Sequence, residues 1–509
     1  MTAWLKKIPL WMWVVAGFLL LNALTFDWYT TVWMDEAMFA DPAANLYFGH
    51  GFTSTAWATQ SSGEFWAGNT PLYSFLLFVW FKIAGFGIFQ TRILDYLLWS
   101  GAVALVCLGV QRLNLVRRPL LLAALAAMLF CVNGVVFSYR SGRYDSLIFF
   151  AAAVCFFCFT ISKPGLRKTA IVISAVFLLP TALILGPFAA TLGFLLLLFF
   201  GRKIFGELCC LAFGLAAGLG LLALFYGELG LWHAFRHAAG FLAQIYYPED
   251  PTKSVWLEKL AAYPEKAFHD VTIDALLLCL VGLAIFKWKD LDTTGKRLSL
   301  LGICVFFVMP VISQAAYAYQ IYHRWQVCLP LAVCLAGAAE HCRDAFKKYL
   351  PRALAVAAVL FVFVFGLGAR LGLAMTDLPE RNYSEVESFV KKNVRPSDVV
   401  FADYQAFYPL HQLDVRAYYS RYFNVITKPE ADAINCLVIN PGWLGTVEKN
   451  IGGQWQATGE SDLHENKFGI PWLDRLFPGY FGQQSNTKYN LVIYRRVPAN
   501  KNAEPASNP

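Results

Sequence analysis

The stretch that decides the fold is Ile8–Phe26, IPLWMWVVAGFLLLNALTF, with Lys6-Lys7 before it and Trp33-Met34-Asp35-Glu36-Ala37-Met38-Phe39-Ala40-Asp41 soon after it. A helix crosses the hydrocarbon core with about 20 apolar residues, and this run has that length. The leading lysines give it the charge pattern of a signal sequence. No small-residue cleavage site follows and further apolar runs do, so it reads as an uncleaved anchor. The two adjacent carboxylates just beyond it stand out, because acids beside apolar surface are costly and often functional.

The rest of the chain repeats the pattern. Hydrophobic residues make up 58% of the 509 positions and charged residues 15%, against roughly 25% charged in a soluble domain. A soluble globule could not bury that share, so the expected class is a polytopic α-helical membrane protein. Apolar runs near 9–26, 91–110, 119–138, 146–162, 169–185, 187–201, 204–226, 271–286, 298–316, 326–341 and 353–372 give about eleven transmembrane helices. The net charge of +8 does not point to nucleic acid, since basic residues between spans follow the positive-inside rule. Of the 12 cysteines only Cys436 lies in the hydrophilic C-terminal part, so no disulfide framework is expected.

Orientation follows from the basic connections. Lys6/Lys7, Arg112/Arg117/Arg118, Lys163/Arg167/Lys168, Arg202/Lys203, Lys287/Lys289/Lys296/Arg297 and Arg343/Lys347/Lys348/Arg352 fall on every second one, which makes those cytoplasmic. The outer face then receives 27–90, Phe137–Ser146, Gly227–Asp270, the turn near His323 and everything after about Leu373. The apolar stretch Pro71–Phe86 is expected to be interfacial or re-entrant, because a crossing there would break the alternation. Residues 1–372 form the expected membrane domain, with 27–90 as its first outer loop. Residues 377–498 form a small α/β soluble domain, with a helix over Glu385–Val394 and strands at Val399–Ala402, Cys436–Asn440 and Tyr489–Tyr494. A disordered polar tail occupies 499–509.

Chemistry is best sought on the outer face, where the positive-inside rule does not account for the charges. Asp35 and Glu36 suit the first turn of an interfacial helix, where the dipole favours acids, and they equally suit a catalytic role. In Tyr139-Arg140-Ser141-Gly142-Arg143-Tyr144-Asp145, two arginines beside a carboxylate read as a local ion pair that caps a helix, or as a phosphate site. Arg92 and the pair His323-Arg324 read as interfacial anchors or as phosphate ligands. His233, Arg236 and His237 complete no metal-ligand pattern. The sequence has no P-loop, dinucleotide fingerprint, His-Glu-x-x-His or paired Cys-x-x-Cys, which argues against soluble-nucleotide chemistry. Carboxylates, arginines and aromatics on one face of a helix bundle suit transfer from a lipid phosphate.

Asp35-Glu36 after span one, Gly49-His50-Gly51-Phe52, Gly68-Asn69-Thr70-Pro71-Leu72-Tyr73, Gly85-Phe86-Gly87 and Arg92 together resemble the first half of the polyprenyl-phosphate-sugar-dependent GT-C glycosyltransferases. The nearest branches are the bacterial protein-mannosyltransferase-like and aminoarabinose-transferase-like group, and the resemblance covers about 200 residues. It implies a GT-C fold, a sugar on a polyprenyl monophosphate as donor, no nucleotide, and a reaction face in the periplasm. It maps the catalytic base onto Asp35 with Glu36 beside it, and a second acid onto Asp145. Some relatives have a lysine where this chain has Asn69, and a lysine-glycine-proline where it has Leu185-Gly186-Pro187. The donor phosphate would therefore fall to Arg92, Arg143, Arg324 and His323. The acceptor is a lipid, glycan or protein, and the location is the bacterial cytoplasmic membrane among its lipids. No cofactor is required, and a divalent metal near the carboxylates is left open. Two other readings are a transporter or flippase, which would show paired repeats, and a non-catalytic scaffold for lipid-linked sugar.

Overall fold

The computed structural model describes residues 8–245, 270–316, 321–342, 350–376, 378–460 and 489–498. Lys6-Lys7, the basic connection 343–349, much of the segment before Asp270 and the tail from Ala499 lie outside the described residues. Among the described residues the chain forms two compact units, one made of residues up to Thr30 with Ala67–Thr376, the other of Thr31–Trp66 with the described parts of Asp377–Phe468 and Asn486–Pro509.

This division differs from the expected one, in which 27–90 belonged to the membrane domain. The reason is local. Residues 31–66 spend their polar groups on the C-terminal part: the Tyr419 amide donates to the Thr55 carbonyl at 3.2 Å, the Ser62 amide to the Tyr422 hydroxyl at 2.6 Å, and the Val32 amide to the Tyr489 hydroxyl at 3.1 Å.

In the helical unit helices overlap the expected apolar runs. Ile88–Arg112, Arg202–Glu228, Thr293–Gln314 and Val356–Met375 are long and apolar enough to cross a membrane, and shorter apolar helices include Leu10–Leu24, Leu72–Ala84, Asp145–Cys158, Leu185–Phe200 and Trp325–Glu340. The stretch Pro71–Phe86, expected to be interfacial or re-entrant, contains the helix Leu72–Ala84.

The predicted span 119–138 is not one helix. Pro119–Cys131 and Asn133–Arg140 meet at 65°, with Val132 extended at φ −59°, ψ 130°. In hydrocarbon the amides freed by such a break need partners. The Asn133 amide donates to Thr272 Oγ1 at 3.0 Å, and the Gly134 amide to Asp270 Oδ2 at 3.0 Å. Asp270 also caps the helix Val271–Lys287 by accepting from the Thr272 amide at 3.1 Å. A second break faces the first: Val364–Gly368 is a π-helical turn in which Gly366 has φ −101°, ψ −111°. A Cβ on Gly366 would lie 1.7 Å from the Cys131 carbonyl oxygen, so only glycine lets the two backbones approach this closely.

The α/β unit is built on a five-stranded sheet of order β2-β1-β3-β5-β4: β1 Val399–Ala402, β2 Arg416–Tyr419, β3 Cys436–Ile439, β4 Trp455–Glu460 and β5 Val492–Arg496. β1 pairs parallel with β2 and β3, and β5 pairs antiparallel with β3 and β4. Phe401, Tyr418, Leu437, Ile439, Val447 and Val492 are among its core residues. The expected strands correspond to β1, β3 and β5. β2 and β4 are the sheet edges (RAYY and WQATGE), and carry little of the alternation that marks a half-buried strand. Thr427 opens the helix Lys428–Ala433 with a capping box completed by Glu430. The Glu430 carboxylate also accepts from Ser62 at 2.8 Å.

Gly366→Ala is expected to destabilise the protein by more than about 2 kcal/mol, seen as a lowered thermal midpoint in detergent. Gly372→Ala, with open space around it, should leave the midpoint unchanged. A second expectation concerns acid. Burial raises the Glu430 pKa, but the donors from Thr427 and Ser62 outweigh it and hold the carboxyl below its ordinary 4.5. Its stabilisation is thus complete above that value and lost as pH falls through the lowered pKa. The protection of amides 427–433 against exchange, relative to their intrinsic rates, should fall below pH 4.5 in the wild type, and Glu430→Gln should show no such pH step.

Candidate active site

Two clusters hold the residues singled out from sequence, one in each unit. In the helical unit, Gly142 takes φ 65°, a left-handed turn that glycine adopts without strain. It reverses the chain between Asn133–Arg140 and Asp145–Cys158, placing Arg143 Nε 3.2 Å from Asp145 Oδ2 with both side chains buried. The Arg143 guanidinium lies 3.6 Å from the Tyr322 ring centroid. Ser138 donates to the Tyr322 carbonyl at 2.9 Å, which fixes the turn carrying His323 and Arg324. Arg324 Nη1 donates to Asp270 Oδ2 at 3.0 Å, and buried His323 meets Tyr322 edge to face at 4.7 Å. Four of the expected residues, Asp145, Arg143, His323 and Arg324, thus belong to one buried, charge-balanced cluster with Tyr322 and Asp270.

The other two arginines are engaged in shaping the chain. Arg92 Nη1 donates to the carbonyls of Phe26 and Thr30, both at 2.7 Å. Arg140 donates to the Tyr29 carbonyl at 2.7 Å, to Asn22 Oδ1 and to the Thr25 carbonyl. Both hold the segment that leaves the helix Leu10–Leu24. Tyr73, on Leu72–Ala84, has its hydroxyl 3.2 and 3.3 Å from the Asp95 carboxylate oxygens and 3.3 Å from the Gly142 carbonyl. Its one hydrogen serves one of these at a time.

In the α/β unit, Asp35 and Glu36 fall in the first turn of the helix Met34–Phe48, where the dipole favours acids. Asp35 is half-buried and Glu36 fully buried. Glu36 Oε1 accepts from the Tyr408 hydroxyl at 3.0 Å. The surroundings are rich in tyrosine: Tyr383 packs against Tyr408 and Tyr489, and Tyr404 stacks on Tyr419. Burial pushes the Tyr404 hydroxyl well above its ordinary range. The Arg421 amide acts the other way, and the Asp35 charge acts with burial. Tyr383 is likewise raised, by burial first and then by neighbouring tyrosines, Glu387 and Glu36. With those hydroxyls protonated, the carboxylates are the groups able to accept a proton.

Asp41, one helical turn on from Glu36 and its neighbours, is fully committed. Fully buried, it accepts from Ser54 Oγ at 2.5 Å and the Thr55 amide at 2.8 Å, and pairs with His411 Nε2 at 3.0 Å. Among the described residues no group of three or more His, Cys, Asp or Glu side chains could hold a metal ion. Asp95, Asn133, Asp270 and Arg370 belong to no motif of the sequence. Three of these lie within apolar runs, where a polar residue is a functional or structural marker by itself, and Asp270 precedes such a run as an N-cap.

No protein-family model and no curated protein matches the sequence. Solved structures do. The structure of ArnT from Cupriavidus metallidurans bound to undecaprenyl phosphate aligns with a TM-score of 0.60 at 11% identity, covering 96% of this chain and 98% of that one. The same protein in the apo state aligns with a TM-score of 0.53 at 11% identity, covering 95% and 98%. The chain has the GT-C fold of ArnT, a helical bundle followed by a small sheet domain.

Removing one member of a buried pair strands the other. Asp41→Ala is expected to cost about 3 kcal/mol or more, read as a lowered thermal midpoint, whereas Asp35→Asn, on a half-buried side chain, should leave the midpoint near wild type.

Proposed function

We propose that this protein is a GT-C glycosyltransferase that moves a sugar from a polyprenyl-phosphate donor to a lipid, glycan or protein acceptor at the periplasmic face of a bacterial cytoplasmic membrane. The observation that carries the reading is the near full-length likeness to ArnT bound to undecaprenyl phosphate. The sequence motif around Asp35-Glu36 supports it independently. In this reading Asp35 is the general base: it takes the proton of an acceptor hydroxyl as that oxygen attacks the anomeric carbon. The bond from that carbon to the phosphate oxygen breaks, its electron pair leaves with the polyprenyl phosphate, and the anomeric configuration inverts.

Glu36, held by Tyr408, positions the acidic turn rather than accepting the proton. Arg143 and Arg324 are the donor-phosphate groups, where guanidinium forks suit the phosphodiester of the donor and the phosphate monoester that departs. Asp145 and Asp270 hold them in place, His323 supports the same turn, and Arg92 positions the chain. Within the helical unit these arginines are oriented by their carboxylates before any reaction, and preorganised groups stabilise developing charge most effectively.

The test is to separate binding from turnover in the purified full-length protein. Asp35→Asn should keep its affinity for polyprenyl phosphate while sugar transfer falls about 100-fold or more. Arg143→Gln should weaken polyprenyl-phosphate binding by about tenfold or more. Unchanged transfer in Asp35→Asn would remove the assigned base, and unchanged binding in Arg143→Gln would remove the phosphate site.

A further inference from the structure

The helical unit contains a cavity of about 510 Å³, within the size range of small-ligand sites. It lies among the helices Ile88–Arg112, Asp145–Cys158, Leu185–Phe200, Phe205–Glu228, Thr293–Ala316 and Trp325–Glu340. Its walls are almost wholly apolar, with Val106, Phe156, Leu192, Leu211, Leu301 and Val333 representative of the lining. An empty apolar space of this size forfeits dispersion contacts in proportion to its volume. Water is a poor occupant, because it needs two to four polar partners. Hydrocarbon is the occupant that the walls fit.

The lining turns polar where these helices end. Arg167, Lys203 and Glu207 belong to it, beside Leu113, Phe159 and Phe200. Arg167 is neutralised by Glu207, with Nε and Nη2 at 3.0 and 2.7 Å from Oε1. Lys203 is exposed, as are Lys163, Lys168 and Arg202 on the same two connections. None of these four has an ion-pair partner among the described residues. The Lys168 ammonium reaches toward Gly206, so the two connections are neighbours. An apolar cavity with Lys203 in its lining, and with Lys163, Lys168 and Arg202 exposed on the same two connections, complements an amphiphile with an anionic head.

We propose that this cavity binds one anionic glycerophospholipid, with an acyl chain among Val106, Leu192 and Leu301 and the phosphate headgroup at Lys203. A volume of this size accommodates one acyl chain, and the site does not rest on the proposed transfer reaction. Basic side chains at a membrane surface attract anionic lipid by about fivefold each.

Native mass spectrometry of the full-length protein in detergent tests this, with phosphatidylglycerol and phosphatidylcholine of identical acyl chains as probes. The wild type should hold one phosphatidylglycerol about tenfold more tightly than phosphatidylcholine. Lys163→Glu with Lys203→Glu, both surface changes, should abolish that preference. Ala189→Phe or Ala152→Phe, each placing a ring in the cavity, should remove the retained lipid. Equal binding of the two lipids by wild type, a preference that survives the charge reversal, or retention that survives both ring substitutions would overturn the proposal. So would displacement of phosphatidylglycerol by an equimolar amount of undecaprenyl phosphate.

Discussion

The carboxylate of Asp270 is the constraint on which the helical unit depends. One side chain caps the helix Val271–Lys287, receives the Gly134 amide freed by the break at Val132, and holds Arg324 at 3.0 Å. In water each bond would be worth little, since solvent competes for every donor. In a hydrocarbon setting an unmet amide or guanidinium is expensive, so the three are coupled: the break can exist because Asp270 satisfies it. The break in turn shortens Pro119–Cys131 and sends Asn133–Arg140 off at 65°, which brings the Gly142 turn, Arg143 and Asp145 beside the turn of Tyr322 to Arg324. Asn133 extends the same network, accepting from Arg370 Nε at 2.8 Å, and Gly366 supplies the space for it.

The arginines divide by what they touch. Arg92 and Arg140 donate to carbonyl oxygens and a neutral amide near the end of Leu10–Leu24, where they organise backbone. Arg143 and Arg324 face Asp145 and Asp270. A guanidinium paired to a carboxylate is oriented and partly neutralised, a state suited to receiving a phosphate that arrives with its own charge. In the α/β unit the division is similar. Asp41 is consumed by Ser54, Thr55 and His411, Glu36 is held by Tyr408, and Asp35 alone of the three keeps part of its surface in solvent.

Much of this was legible in the sequence, for physical reasons. Apolar runs marked where the long helices of the bundle form among the described residues, and the Asp35-Glu36 and Asp145 motifs lay at helix starts because acids are favoured there. The break at Val132 was not legible. The run 119–138 is apolar throughout apart from Asn133 and Ser138, and what breaks it is a cap from Asp270 and a clearance at Gly366, both distant in sequence. The partnership of 31–66 with the sheet domain was equally hidden, since hydropathy assigns a loop to the spans it connects and says nothing of where its amides find acceptors. β2 and β4 escaped because edge strands carry weak patterns. Asp95 and Arg370 were visible as charges inside apolar runs, and that cost alone was reason to single them out.

The central claim is that this bundle consumes a lipid-linked sugar. The direct measurement is release of polyprenyl phosphate by the purified full-length protein in nanodiscs, offered a panel of polyprenyl-phosphate sugars with and without an envelope extract as acceptor. The account predicts release from at least one donor, dependent on the acceptor, with the sugar recovered on the acceptor in inverted configuration. Binding of the donors with no release from any of them, under conditions where the protein is folded and the acceptor is present, would contradict it.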